Sequence, residues 1–68
     1  MEELRVRLRI LRISKGCTQR EISEFLGVAQ NTYSGYETGE IVPPLINLIK
    51  LAEFYGVSLD YICGLSDS

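Results

Sequence analysis

Gln30 and Asn31 are the residues whose side-chain type best suits recognition chemistry in this chain. They fall in the stretch FLGVAQNTYSGYE, residues 25–37, which carries no Lys, Arg or His. A Gln or Asn amide can place a donor and an acceptor together, the pair that an adenine edge displays in the major groove of double-stranded DNA. Cations, by contrast, serve mainly phosphates. The cations of this chain lie elsewhere. Residues 1–20 hold Arg5, Arg7, Arg9, Arg12, Lys15 and Arg20 against Glu2 and Glu3, a balance of +4, whereas residues 21–68 hold Lys50 against seven acids, a balance of −6. The net charge of −2 therefore hides a basic end, and an asymmetry of this size is what a phosphate-facing edge leaves in a small acidic protein.

Enzymatic schemes lack their parts. The chain has no His, and Cys17 and Cys63 stand 46 positions apart, which fits neither a zinc spacing nor a Cys/His nucleophile pair. Both cysteines read as reduced thiols used as small hydrophobes, with a disulfide or a bridge between subunits through Cys63 as the lesser alternative. Neither a metal nor a cofactor is expected, and no small-molecule ligand is evident. Residues 1–15 alternate Leu, Val and Ile with Arg rather than forming the unbroken apolar centre of a signal peptide. The most apolar stretch, 41–57, is broken by Asn47, Lys50 and Glu53, so no membrane association is expected and a cytoplasmic chain is.

Five helices and no strand are expected to position these residues within one domain spanning 1–68. Leu4, Leu8 and Leu11 recur at helical spacing, each trailed by Arg5, Arg9 or Arg12, so the first helix spans about Glu3 to Ser14 and ends at Gly16. Thr18 and Glu21 have the spacing of a reciprocal cap, with Cys17 and Ile22 placed as a hydrophobic staple. The second helix then carries Ile22, Phe25 and Leu26 inward and stops at Gly27. A third helix over Gln30 to Thr38 places Tyr33 and Tyr36 one turn apart on its inner face. Pro44 suits the start of a fourth helix, whose inward positions read as Leu45, Leu48, Ile49, Ala52 and Tyr55 or Phe54. Ser58 caps a short fifth helix through Asp60, Tyr61 and Ile62 to Cys63, and the tail 64–68 is expected to fray.

Two short helices joined by a tight, Gly-containing turn form a helix-turn-helix, here over about 18–38. The stretch TQREISEFLGVAQNTYSGYETG resembles the core of the phage-repressor and Cro type of helix-turn-helix regulators, the xenobiotic-response-element family. Gln19 opens the second helix, Ile22 and Leu26 point inward, Gly27 makes the turn, Val28 plugs it, and Tyr33 and Tyr36 take the apolar positions of the recognition helix. Ser23 falls where that family has a small residue because two helices cross closely. The ending LAEFYGVSLDYICGLSD is similar to the family's closing helices, so the resemblance covers residues 4–63. It implies a compact all-α, five-helix, lambda-repressor-like domain.

It also implies roles. Gln30 and Asn31 would contact bases, Thr32 would offer its methyl or hydroxyl, and Ser34 or Gly35 would face the groove further along, with shallower readout at Gly35. Phosphate contacts are expected around the motif. Gln19 is the first candidate because helix N-termini favour anions, followed by Arg20 and by Arg9 or Arg12. The hydroxyl of Tyr33 could reach a phosphate from the edge of the core, and backbone amides from Thr38 to Ile41 could serve despite the repelling charge of Glu40. For Arg5, Arg7 and Lys15 solvated surface is at least as good a reading as a phosphate contact. In related proteins the arginine matching Arg12 pairs with the glutamate matching Glu37, which implies a partly buried ion pair here.

A chain of 68 residues buries only a thin core, and one helix-turn-helix reads few base pairs, so a homodimer on an inverted-repeat operator is expected. Leu59, Tyr61, Ile62 and Leu65 are the expected dimer contact. The function that follows is a sequence-specific DNA-binding regulator, with repression the expected outcome. A protein-interaction module of the same fold that has lost DNA binding is the alternative, for which the net negative charge and Glu40 speak.

Overall fold

Local signals set the helix boundaries in the computed structural model of the chain, which describes residues 2–67. The elements are α1 (Glu2–Lys15), α2 (Gln19–Leu26), α3 (Gln30–Thr38), α4 (Leu45–Tyr55) and α5 (Leu59–Ile62), with no strand among the described residues. Thr18 Oγ1 accepts from the Glu21 backbone N–H at 3.0 Å while Glu21 Oε1 accepts from the Thr18 N–H at 2.8 Å, so two otherwise orphaned amides are satisfied at the start of α2. At the other end Gly27 adopts φ +73°, a left-handed conformation that a side chain would resist. Ser58 repeats the capping device at α5, its Oγ accepting from the Tyr61 N–H at 3.0 Å.

The core lies among the five helices, with α2 packed on α3, α3 and α5 packed on α1, and α4 packed on α5. Leu4 and Leu8 from α1, Ile22 and Leu26 from α2, Tyr33 and Tyr36 from α3, Leu48, Leu51 and Ala52 from α4, and Ile62 from α5 are all buried. The rings of Tyr33 and Tyr36 meet edge to face at 5.8 Å and 73°, the arrangement that aromatic quadrupoles favour.

Two expectations of inward facing need correction. In α4 the inward residues are Leu48, Leu51 and Ala52 together with Asn47, whereas Leu45 and Ile49 face outward. The cause is a polar anchor: Asn47 Nδ2 donates to the Tyr36 hydroxyl at 3.2 Å inside the core, which turns the helix away from the face its aliphatic residues alone predict. Phe25 is 47% exposed and flanks the core, resting its ring against Phe54 at 4.9 Å. Part of the tail is hydrogen-bonded in the fold. The Leu65 N–H bonds Asp60 O at 2.8 Å, and Arg7 Nη1 reaches from α1 to Tyr61 O and Ser66 O, both at 2.7 Å. Arg7, read from sequence as solvated surface or a phosphate contact, also lies 4.3 Å above the Tyr61 ring. Residue 68 of the expected tail lies outside the described residues.

Candidate nucleic-acid interface

The turn that joins α2 to α3 occupies residues 27–29 and is closed by backbone bonds from Val28 N to Ser23 O at 3.0 Å and from Tyr33 N to Ala29 O at 3.1 Å. Ser23 is buried beneath this turn, its hydroxyl donating to Arg20 O at 2.8 Å, so a larger side chain would force the two helices apart. One face of α3 is thereby pressed into the core through Tyr33, Tyr36 and Glu37, and the opposite face is presented outward.

That outward face forms one side of an open groove of about 710 Å³, lined by Gln19, Gln30, Asn31, Ser34, Gly35, Thr38, Glu40 and Ile41. Gln30 and Asn31 are exposed at its mouth and Ser34 is half-buried along its floor. Thr32 is half-buried on the flank of α3 and does not line the groove.

Gly35 requires correction as a reader. It is buried, and a Cβ built on it would stand 2.6 Å from Ile41 Cδ1 and 2.8 Å from Ile41 Cγ1. Its carbonyl accepts from both the Gly39 and the Ile41 N–H at 3.1 Å, so this glycine holds the loop after α3 against the helix. Ile41 has no counterpart in the residue-type reading. The signal for it was a glycine inside a helix, a placement that costs stability unless another chain segment approaches closely.

Beneath the groove lies a polar cluster. Glu37 Oε2 accepts from Arg12 Nε at 2.6 Å and from the Tyr33 hydroxyl at 2.6 Å, while Oε1 accepts from Arg12 Nη2 and Gln19 Nε2, both at 3.1 Å. Arg12 Nη1 completes the set by donating to Cys17 O at 2.9 Å. The ion pair is well shielded, with the two side chains 13% and 3% exposed. Burial pushes the Glu37 carboxyl pKa upward, yet the hydrogen bonds from Arg12, Tyr33 and Gln19 outweigh burial and hold it below the ordinary value of 4.5. Burial, followed by donation to Glu37, raises the Tyr33 phenol well above the usual range, so it remains a proton donor at any physiological pH.

The cluster removes two candidates from the phosphate set. Arg12 spends its guanidinium on Glu37 and Cys17, and Tyr33 is fully buried with its hydroxyl on Glu37. Gln19 is half-buried and its side-chain amide is engaged with Glu37, which leaves its backbone N–H at the first turn of α2 as its means of meeting an anion. Arg9 and Arg20 are exposed, Arg20 in a loose 3.5 Å pair with Glu24. Thr38 caps its own loop, accepting from the Glu40 N–H at 3.4 Å and donating to Gly35 O at 3.2 Å. Arg5 pairs with Glu2 and lies across Gly39 at the exit of α3.

The expected dimer set is also divided. Ile62 is completely buried as a core residue, so no partner can touch it in the folded chain, and Tyr61 is covered by Arg7. Leu59 is half-buried, whereas Leu65 is 79% exposed.

Residues 8–62, which include every element of this interface, match the helix-turn-helix family model. The chain belongs to the helix-turn-helix family. This helix-turn-helix chain is 46% identical over 61 residues to the uncharacterized HTH-type transcriptional regulator YobD of Bacillus subtilis (strain 168), covering 90% of the chain and 54% of that relative. It is 42% identical over 62 residues to the cryptic phage CTXphi transcriptional repressor RstR of Vibrio cholerae, covering 91% and 56% respectively. It is 40% identical over 58 residues to the HTH-type transcriptional regulator ImmR of Bacillus subtilis (strain 168), covering 85% and 46%. The helix-turn-helix chain thus spans about half the length of the curated relatives it matches. No solved structure matches it. Among the described residues no helix is long and apolar enough to cross a membrane.

Proposed function

We propose that this protein is a transcriptional regulator that binds double-stranded DNA, placing α3 in the major groove and occupying an inverted-repeat operator as a homodimer in the cytoplasm, with repression as the outcome. The observation that carries this reading is the outward face of α3. Gln30, Asn31 and Ser34 project from a helix whose other face is locked by Tyr33, Tyr36 and Glu37, so polar groups able to meet base edges are held on a rigid support. The repressor RstR and the regulators YobD and ImmR, similar over most of this chain, support the same reading.

In this arrangement Gln30 and Asn31 meet bases first, and Ser34 meets them deeper along the groove. Arg9, Arg20 and the backbone N–H groups at the start of α2 hold phosphates on either side, which fixes the docking register without reading sequence. Ile41 contributes an apolar wall in place of a Gly35 side chain, suited to a thymine methyl. Glu40 on the rim disfavours close approach of a phosphate there, so the loop after α3 engages DNA through its backbone or stands off.

Selection from a random double-stranded pool at near-physiological salt tests the reading. An inverted repeat with half-sites roughly 34 Å apart is the expected product. Gln30→Ala should then relax the preference at one or two base pairs, at a cost of about 1 to 3 kcal/mol for the preferred base. Arg20→Ala should weaken all duplexes alike and lower the salt dependence by about one counterion. A folded sample that enriches no sequence refutes the proposal and favours the interaction module.

A further inference from the structure

Among the described residues, Ile41 is the one aliphatic side chain that lines the groove, whose other walls are Gln, Asn, Ser, Thr, Glu and a glycine. Its place there is fixed. The Ile41 N–H donates to Gly35 O at 3.1 Å, and Cγ1 and Cδ1 fill the space into which a side chain at position 35 would grow. The same residue borders a small recess shared with Leu4, Tyr36 and Pro43, so its far side rests against the packed part of the domain. Ile41 nevertheless remains 40% exposed. A residue of the loop thus supplies, on the outward face of α3, the side chain that Gly35 lacks.

What such a surface can discriminate follows from the base edges. In the major groove thymine shows an O4 acceptor and a 5-methyl group, and cytosine shows an N4 donor and no methyl. Ser34, one position before Gly35 in the same groove, carries a hydroxyl that both donates and accepts, so it suits either O4 or N4. An aliphatic group beside an indifferent hydroxyl leaves the methyl as the feature that decides.

We propose that Ile41 makes this part of the groove a reader of the pyrimidine 5-methyl group, so that methylation of a cytosine at that position strengthens binding as a thymine does. The proposal rests on the major-groove reading of α3 given above and adds to it a dependence on DNA modification. Removal of one methyl from water corresponds to about fourfold in affinity, hence about 16-fold when both half-sites carry it.

Fluorescence anisotropy with the duplex selected from the random pool tests this, with circular dichroism confirming that each variant is folded. Each thymine of a half-site is replaced singly by deoxyuridine, and the position that responds is then filled with cytosine or 5-methylcytosine. Each comparison holds the exocyclic group constant, so any preference of Ser34 or Glu40 for O4 or N4 cancels. At one position the thymine-to-uracil and 5-methylcytosine-to-cytosine affinity ratios should both be about four. Ile41→Ala should bring both ratios to within about 1.5-fold of unity, whereas Ile41→Val should keep them above about two. Gln30→Ala should weaken binding and leave both ratios at about four. No responding thymine, ratios that persist in Ile41→Ala, or a thymine effect without a matching 5-methylcytosine effect would each overturn the proposal. A folded chain that selects no sequence overturns the DNA reading and this proposal with it; a selected operator without methyl dependence overturns this proposal alone.

Discussion

Replacing Glu37 by Gln preserves shape and removes one charge, which makes it a sharp probe of what holds the recognition helix in place. The two carboxylate oxygens accept four hydrogen bonds, two from Arg12 and one each from Tyr33 and Gln19. A Gln amide supplies one acceptor and one donor. Whichever way it is turned, its NH2 group faces an N–H of Arg12, either Nε at the site now shared with Tyr33 or Nη2 at the site now shared with Gln19. Tyr33 and Gln19 can reorient to accept; the guanidinium cannot. The variant therefore leaves a shielded cation opposed by a donor, and breaking such a pair costs about 3 to 5 kcal/mol. For a chain of this length total stability is roughly 3 to 10 kcal/mol, so the loss is a large part of the whole. Thermal unfolding followed by circular dichroism should show a fall in midpoint of about 12 °C or more.

The pH dependence gives a second readout of the same substitution. Because the folded-state pKa of Glu37 lies below its ordinary value of 4.5, its contribution is fully present above that value and is lost as the pH falls through the folded-state pKa. The difference in stability between parent and Glu37→Gln should therefore be constant from pH 7 to pH 5 and should narrow below about 4.5. A midpoint within about 2 °C of the parent at pH 7 would show that the cluster does not brace α3, and the account of Arg12 as a strut would fall.

Other substitutions probe other parts of the fold. Arg7→Ala removes two charge-assisted bonds to Tyr61 O and Ser66 O, and hydrogen exchange should show amides 62–66 opening first, with about 2 kcal/mol lost in urea denaturation. Gly35→Ala should change stability by less than about 1 kcal/mol, since better helix propensity is offset by displacement of Ile41; in an Ile41→Ala background the same change should stabilise by about 1 kcal/mol, and no gain there would rule out that contact as the reason for the glycine. The buried Tyr55 hydroxyl has no hydrogen-bond partner among the described residues, so Tyr55→Phe should be neutral or stabilise by up to about 1 kcal/mol in chemical denaturation. Burial also pushes the Tyr55 phenol up to about 12, so the parent should retain one late-ionising tyrosine, in addition to Tyr33, that Tyr55→Phe lacks in an alkaline absorbance titration.

The starts of α2 and α5 and the ends of α2 and α3 were legible because each depends on residues within one turn: a Thr or Ser cap, with Glu21 three positions on at α2, and a glycine at the exit of α2 and α3. The facing of α4 was not, because Asn47 owes its burial to a hydroxyl 11 positions earlier on α3, and a polar residue in an aliphatic run reads as an outward one. The same distinction divides the candidate site. Gln30, Asn31 and Ser34 fall on the outward face by helical period alone. The commitments of Gln19, Arg12 and Tyr33 to Glu37 close over 18, 25 and 4 positions, so which of those groups remain available for phosphate depends on how three helices meet. Ile62 misled because apolar residues near the end of a short chain look surplus, whereas α5 folds back and inserts it into the core.

In α3 the division of labour is nearly complete. Tyr33, Gly35, Tyr36 and Glu37 are buried, and the remaining five of its nine positions, Gln30, Asn31, Thr32, Ser34 and Thr38, carry little of the packing. Surface substitutions away from caps and cores usually alter stability by no more than about 0.5 kcal/mol. On the proposed reading, new operators are within reach by exchange of a few outward side chains with the scaffold unaltered, whereas change at the four inward positions acts on folding first. Lineages built on this helix can diverge in what they bind far faster than in how they fold.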